Sequence, residues 1–186
     1  LFKIAAGLVS SKIMAVFVGP TGLALTGNLK NFLTSLEGIA TLGIQNGIIK
    51  NVAENKEKPE SLKKSMATVF WLLLLLSVVI GCILVFFAGY FSQLVFGKIN
   101  HFENLFQALG WLFPFYMAGL FLTLLLNGLG QFRRVIWINI FGSIFGLIYT
   151  VWAVLELKTY GALISLVVPP AILFVFAYYQ INRVLD

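Results

Sequence analysis

The chain is built mainly of long apolar stretches that are separated by short polar turns. Six stretches approach or exceed the roughly 20 mostly apolar residues that a helix needs to cross a bilayer. They cover residues 1–18, 22–50, 65–91, 102–126, 135–156 and 161–182. In lipid, a lone segment must satisfy its own backbone hydrogen bonds, which a helix does and a single strand does not. The sequence therefore predicts an all-α membrane protein, a six-helix transmembrane bundle over residues 1–186.

The composition argues against several other classes of protein. Only 11% of the residues are charged, whereas a soluble domain has about 25%. A single cysteine and a single histidine cannot form a disulfide or a Cys/His zinc cluster. The sequence contains no phosphate-binding P-loop, and no span carries paired carboxylates or an activated nucleophile. We therefore expect a transporter rather than an enzyme, with no catalytic residue, no metal site and no cofactor.

Lysine and arginine are distributed unevenly among the predicted connections. With the N-terminus in the cytoplasm, nine flank the cytoplasmic ends of the spans and two, Lys98 and Lys158, flank the outer ends. Short loops rich in these residues stay in the cytoplasm, so we expect both termini of the chain there. The nine are Lys3, Lys50, Lys56, Lys58, Lys63, Lys64, Arg133, Arg134 and Arg183. The net charge of +6 is thus explained by the orientation of the chain in the membrane. We expect a lipid bilayer rather than nucleic acid as the partner of this chain.

A polar stripe follows one side of the second predicted span. Its members are spaced by four, three, four and four residues, which places them on one helix face. They are Lys30, Thr34, Glu37, Thr41 and Gln45. Lys12, in the first span, is expected at a depth close to that of Lys30. A charge at mid-membrane costs about 2.5–3.5 kcal/mol on insertion scales, so each of these charges needs an explanation.

We interpret Lys12 and the stripe as the lining of a cationic cavity for an anionic group, with Glu37 as counter-ion or proton-linked switch. The alternative is structural. Lys12 would then extend to the outer interface, and Lys30 would pair with Glu37 directly or through a water molecule.

Glycine and proline mark further features of the spans. Two pairs of glycines four residues apart, Gly43 with Gly47 and Gly142 with Gly146, predict close helix packing. Pro114 and the Pro169-Pro170 pair interrupt the fourth and sixth spans.

Residues 18–54 carry a set of short motifs. They are Gly19-Pro20-Thr21-Gly22, Asn28-Leu29-Lys30, Gly43-Ile44-Gln45-Asn46-Gly47 and Lys50-Asn51-Val52-Ala53-Glu54. This region resembles the family of O-antigen translocases and lipid III flippases, which belongs to the MATE-like (multidrug/oligosaccharidyl-lipid/polysaccharide) superfamily. The similarity continues more loosely over nearly the whole chain. Lys30 and Lys12 match basic positions of that family.

The resemblance implies one lobe of a two-lobe transporter. Such proteins have two six-helix lobes around a central cavity, so the chain would be the N-terminal lobe, with the second lobe absent from it. The implied activity is a flippase that moves undecaprenyl-pyrophosphate-linked oligosaccharide, an O-antigen or related unit, across the bacterial inner membrane by alternating access. A polysaccharide polymerase and a chain-length regulator are implied partners. Two alternatives stay open: a cation-coupled exporter of small molecules, and a non-transporting membrane scaffold for glycan assembly.

Overall fold

The computed structural model describes residues 2–55, 59–97 and 102–185, and every regular element within these ranges is a helix. The helices are α1 (Phe2–Ala40), α2 (Gln45–Asn55), α3 (Pro59–Phe86), α4 (Ala88–Phe96), α5 (Glu103–Gly128), α6 (Phe132–Ile164) and α7 (Val168–Leu185). Four segments are long and apolar enough to cross a membrane, namely Gly7–Ala40, Glu60–Phe86, Glu103–Gly128 and Phe132–Ile164. The prediction of an all-α membrane protein is confirmed, whereas the number of helices differs from six. Three of the predicted flanking cations, Lys56, Lys58 and Lys98, lie outside the described residues.

The first break divides α1 at Gly19. This residue has φ 75° and ψ −176°, a conformation that is essentially reserved for glycine. Pro20 follows and has no backbone N–H to donate, which suits the first position of a new helix. We call the two parts α1a (2–18) and α1b (20–40). They correspond to the first predicted span and to most of the second.

The second predicted span ends earlier than expected. A turn over residues 41–44 interrupts it, with positive φ values of 50° at Leu42 and 69° at Gly43. The α1b helix alone is about 31 Å long at 1.5 Å per residue, enough to cross a bilayer. The prediction of one helix over residues 22–50 was therefore wrong in its C-terminal part, because the helix ends at Ala40. The predicted packing of Gly43 with Gly47 was also wrong, because Gly43 lies in the turn and a Cβ at Gly47 would meet nothing within 4 Å.

Two more predicted spans are interrupted. The third breaks at Phe87, between α3 and α4. Lys158, with φ 49° and ψ −120°, divides α6 into α6a (132–157) and α6b (159–164). The sixth predicted span therefore consists of α6b, a turn over residues 165–167 and α7.

The core forms around α5. Phe106, Phe113 and Met117 of this helix are fully buried. At its crossing with α3, the backbones touch, since a Cβ at Gly110 would lie 2.6 Å from the Gly81 carbonyl oxygen. The predicted packing at Gly142 is confirmed, because a Cβ there would lie 2.7 Å from the side chain of Leu173 in α7.

Candidate functional site

The apolar face of α1b faces the interior of the bundle. Leu25, Leu29, Leu36 and Ala40 are buried in one cluster with Leu84 of α3 and with Phe106 and Phe113 of α5. The ring of Phe32 lies 5.6 Å from that of Phe106, centroid to centroid. At the border between this apolar face and the exposed side of the helix, the Asn28 side-chain amide donates a 3.3 Å hydrogen bond to the Val95 carbonyl oxygen. These contacts fix the rotation of α1b about its own axis, so that its opposite face points away from the described core.

That outward face is polar or small at almost every position. Its exposed residues are Pro20, Thr21, Ala24, Gly27, Asn28, Lys30, Asn31, Thr34, Ser35, Gly38 and Ile39. We call this set the polar face of α1b. Only Ile39 among them is a large apolar residue. A surface of this kind is unfavourable against acyl chains, because its polar groups would lose their hydration without gaining partners.

Other helices show the opposite arrangement. On α3, the exposed side chains along its second half are all apolar: Trp71, Leu72, Leu75, Val78, Val79, Cys82, Ile83 and Phe86. On α6a, Phe141, Ile144, Ile148 and Trp152 are likewise exposed. Such surfaces are typical of helices that contact lipid. The polar face of α1b therefore differs from its neighbours in kind and requires water, ligand or protein beside it.

The predicted stripe is divided by the fold. Lys30 and Thr34 are exposed on the polar face, and Glu37 is half-buried beside it. Thr41 lies in the turn after α1b and is fully buried, with its hydroxyl donating to the Glu37 carbonyl oxygen at 2.7 Å. Gln45 begins the separate helix α2 and lies 3.5 Å from the Thr41 hydroxyl. The structure thus keeps three of the five residues on one helix and places the other two around the turn.

The two intramembrane lysines lie on different parts of α1. Lys12 is exposed on α1a, seven residues before Gly19, and Lys30 is exposed ten residues after Pro20. At 1.5 Å per residue, they lie about 10 Å and 15 Å from the bend. Elsewhere in the described part of the chain, Lys50 forms an ion pair with Glu54, with a nitrogen–oxygen distance of 3.8 Å.

The sequence reasoning missed part of this surface. Asn28, Asn31 and Ser35 belong to the polar face but lie outside the predicted stripe. A signal for Asn31 was present, since Gly27, Asn31, Thr34 and Gly38 recur at spacings of four, three and four. The polar side of α1b is therefore broader than a single line of residues.

Apolar outer faces on α3 and α6a, beside one long helix with a polar outer face, define a multi-pass membrane protein of the all-α class. A family model described as "Polysaccharide biosynthesis protein" matches residues 1–185, and the chain belongs to this family.

Two curated relatives are similar over part of the chain. They are the lipid III flippases of Escherichia coli (strain K12) and of Shigella flexneri, each 36% identical over 101 residues. The match covers 54% of this chain and 24% of each relative, so it spans about a quarter of their length. No solved structure matches the chain.

Proposed function

We propose that the chain is the N-terminal lobe of a flippase for undecaprenyl-pyrophosphate-linked oligosaccharide, an O-antigen or related surface polysaccharide unit, in the bacterial inner membrane. Membership in the polysaccharide biosynthesis family and the similarity to lipid III flippases support this class of substrate. The observation that carries the proposal is the polar face of α1b, which is exposed on a helix long enough to span the bilayer.

The substrate explains why such a face is needed. Its pyrophosphate and sugars are strongly hydrated, and transferring them into hydrocarbon without new partners costs many kcal/mol. The polar face would replace part of that hydration, while the prenyl chain stays among the lipid tails. Because Lys30 lies halfway along α1b, its charge is available where the pyrophosphate is farthest from water on both sides. Lysine binds phosphate as a point charge.

The hydroxyls of this face offer acceptors to a sugar. Thr34 donates its hydroxyl proton to the Lys30 carbonyl oxygen at 3.0 Å, and Ser35 donates to the Asn31 carbonyl oxygen at 3.0 Å. Their oxygen lone pairs therefore remain for the hydroxyl donors of a sugar. The amide of Asn31 can both donate and accept, so the face matches a ligand that carries hydroxyls as well as phosphate.

Lys12 and Glu37 complete the proposed lining. Glu37 lies seven residues from Lys30, about 10 Å along the helix, and would limit the positive charge next to the pyrophosphate. Since Thr41 is buried and bonded to its own turn, we assign to Thr41 and Gln45 the role of holding the end of α1b rather than that of touching substrate.

Alternating access would require a second lobe opposite the polar face, with rocking of the lobes exposing the site to each side in turn. Because the sequence has no P-loop, we propose that an ion gradient or the membrane potential drives the cycle, with Glu37 as a candidate for proton coupling. A polysaccharide polymerase and a chain-length regulator remain the partners that we propose.

The test is complementation of a flippase-deficient strain with the full-length gene. Lys30→Ala is expected to reduce surface polysaccharide at least tenfold, because the mid-membrane cation for the pyrophosphate is lost. Lys30→Arg keeps the charge and should restore a substantial part. Lys64→Ala, which removes an exposed lysine outside the polar face, is the matched control and should behave as wild type.

Immunoblots of the membrane fraction separate loss of activity from loss of protein. Normal polysaccharide from Lys30→Ala at wild-type abundance would remove this lysine from the mechanism and leave the scaffold alternative as the better explanation. Loss of export of a small organic cation, with polysaccharide unchanged, would instead favour the exporter.

A further inference from the structure

A cavity of about 550 Å³ lies between α2 and the turn that joins α5 to α6. Its lining consists of Ile49, Ala53, Asn127, Gly128, Leu129, Gly130 and Phe132. No residue of α1b is among them, so the cavity is separate from the polar face. On the buried side of α2, Ile48 and Val52 pack in one cluster with Leu126 of α5 and Val135 of α6. These contacts hold α2 beside the turn.

The cavity lies where α6 reaches one surface of the membrane. Phe132 is the first residue of α6 and is exposed, and Ile136 and Trp137, one turn later, are also exposed. An apolar outer face of this kind contacts acyl chains, and tryptophan is enriched where acyl chains meet headgroups. The cavity is therefore at the depth of lipid headgroups rather than in the middle of the bilayer.

A basic side chain flanks the lining on each of the two helices. Lys50 follows Ile49 on α2, and Arg133 follows Phe132 on α6; both basic residues are exposed. Lys50 lies 3.8 Å from Glu54, but both side chains of this pair are exposed, and such pairs contribute little energy. The lining itself includes no acidic residue. These surroundings favour an anion.

The backbone of the turn offers little to that anion. The N–H groups of residues 129–131 are already bonded to carbonyl oxygens of α5. An anion in the cavity therefore depends on side chains, namely the charges of Lys50 and Arg133 and the amide of Asn127, which can donate a hydrogen bond.

We propose that this cavity binds an anionic phospholipid, with its phosphate between Lys50 and Arg133. Its glycerol and the first carbons of an acyl chain would lie against Ile49, Leu129 and Phe132. Basic pockets at the cytoplasmic ends of spans bind anionic lipids in this way. A free phosphate would leave the apolar lining without a partner. A zwitterionic phospholipid would bring its own cation towards the two basic side chains.

Such a lipid would connect α2 to α6. Because α2 follows α1b after the turn over residues 41–44, the bound lipid would also restrain the end of the helix that carries the polar face. Binding to this arrangement of the helices would favour it over others. The inference does not depend on the proposed function, because lipid binding is measured without substrate or transport.

The experiment is thermal unfolding of the purified full-length protein in detergent micelles that contain increasing amounts of phosphatidylglycerol. A ligand that binds only the folded state raises the midpoint as its concentration rises. Phosphatidylcholine with the same acyl chains tests the headgroup charge, and soluble glycerol phosphate tests the headgroup without chains. We expect a saturable rise with phosphatidylglycerol and a much smaller one with either comparison. An equal rise with phosphatidylcholine, or with glycerol phosphate alone, would overturn the proposal.

Charge variants assign the response to the cavity. Lys50→Gln and Arg133→Gln each remove one cation beside the lining. Each should weaken phosphatidylglycerol binding about fivefold, since a basic residue near an anionic lipid surface contributes about 1 kcal/mol. Lys64→Gln is the matched control, because Lys64 is an exposed residue of α3 that does not flank the lining. It should keep the wild-type response.

Filling the cavity provides an independent test. Ala53→Phe puts a ring into the space from an exposed position of α2 and should abolish the saturable response. Asn51→Phe adds the same ring to α2 outside the lining and should not. Wild-type affinity in Ala53→Phe and in both charge variants of the cavity would place the lipid elsewhere and overturn the assignment. An equal loss in Lys64→Gln would show a general attraction to charge and would also overturn it.

Discussion

Gly19 determines how the first helix is divided, and it does so through a single pair of backbone angles. With φ 75° and ψ −176°, an L side chain would be strained there at a cost of about 1–3 kcal/mol. The bend lets α1a pack its Met14 against Val154 and Ala162, while α1b enters the main core. Gly19, which has no side chain, thus divides α1 into two helices that pack against different parts of the bundle.

Gly19→Ala is therefore expected to destabilise the protein by about 1–3 kcal/mol. The measurement is thermal unfolding of the purified protein in detergent, with the midpoint expected to fall. Gly47→Ala is the matched control, because Gly47 is helical and a Cβ there meets nothing within 4 Å. That variant should be neutral or stabilised by up to about 1 kcal/mol. An unchanged midpoint for Gly19→Ala would show that the bend tolerates a side chain.

The residues of the polar face were partly predictable from the sequence. Lys30, Thr34 and Glu37 stand out because charge and hydroxyls are rare in an apolar span and because their spacing matches a helix. The burial of Thr41 was not predictable, because the turn that contains it has a left-handed conformation at Leu42 as well as at Gly43. Leucine gives no sequence signal for such a conformation.

At the scale of elements, α1b and α3 expose opposite kinds of side chain. The leucines of α1b lie in the core and its polar residues point outward, whereas α3 exposes leucine, valine and tryptophan. The α3 helix contains a segment long and apolar enough to cross a bilayer, and α1b, at about 31 Å, also has sufficient length. The difference between their outer faces therefore reflects different surroundings and not a different position along the chain.

Cysteine accessibility tests this difference directly. Asn31→Cys and Thr34→Cys, each made together with Cys82→Ala, should react with a membrane-impermeant, water-soluble maleimide in native membranes that expose both sides. The native Cys82 is the built-in control, because it is exposed on the apolar face of α3. In the otherwise unchanged protein, it should react several-fold more slowly with that reagent and readily with a lipid-soluble maleimide. Equal rates at Cys82 and at the α1b positions would contradict a water-accessible polar face.

Some breaks between the helices could be predicted from the sequence, and others could not. Pro169-Pro170 marked the break before α7 because proline removes helix donors, and Gly19-Pro20 marked the bend in α1. Nothing near Phe87 carries such a signal, since alanine, phenylalanine and glycine occur in continuous transmembrane helices. Hydropathy alone joins α1b to the turn that follows, because Leu42 and Ile44 are as apolar as the helix itself.

At the scale of the whole molecule, two ends of the bundle can be told apart. At one end, α2 packs on the end of α5, where a Cβ at Gly128 would lie 2.5 Å from Val52. Arg134 donates a 2.9 Å hydrogen bond to the Gln180 carbonyl oxygen, which brings the start of α6 and the later part of α7 to this same end. At the other end, the rings of Phe102 and Tyr160 stack with centroids 6.4 Å apart.

The end that contains α2 also carries most of the described cations, so we predict that it faces the cytoplasm. Alkaline phosphatase, which is active only outside the cytoplasm, should be active when fused after Gly97 or Lys158 and inactive after Asn55 or Gly130. The reason is that positively charged short loops resist translocation. Changing Lys63 and Lys64 to glutamine should raise the activity of the Gly130 fusion several-fold. Glu60→Gln should leave it unchanged, since acidic residues contribute little to orientation. High activity after Asn55 with low activity after Gly97 would reverse the orientation and would place the first part of α1b, rather than its end, towards the cytoplasm.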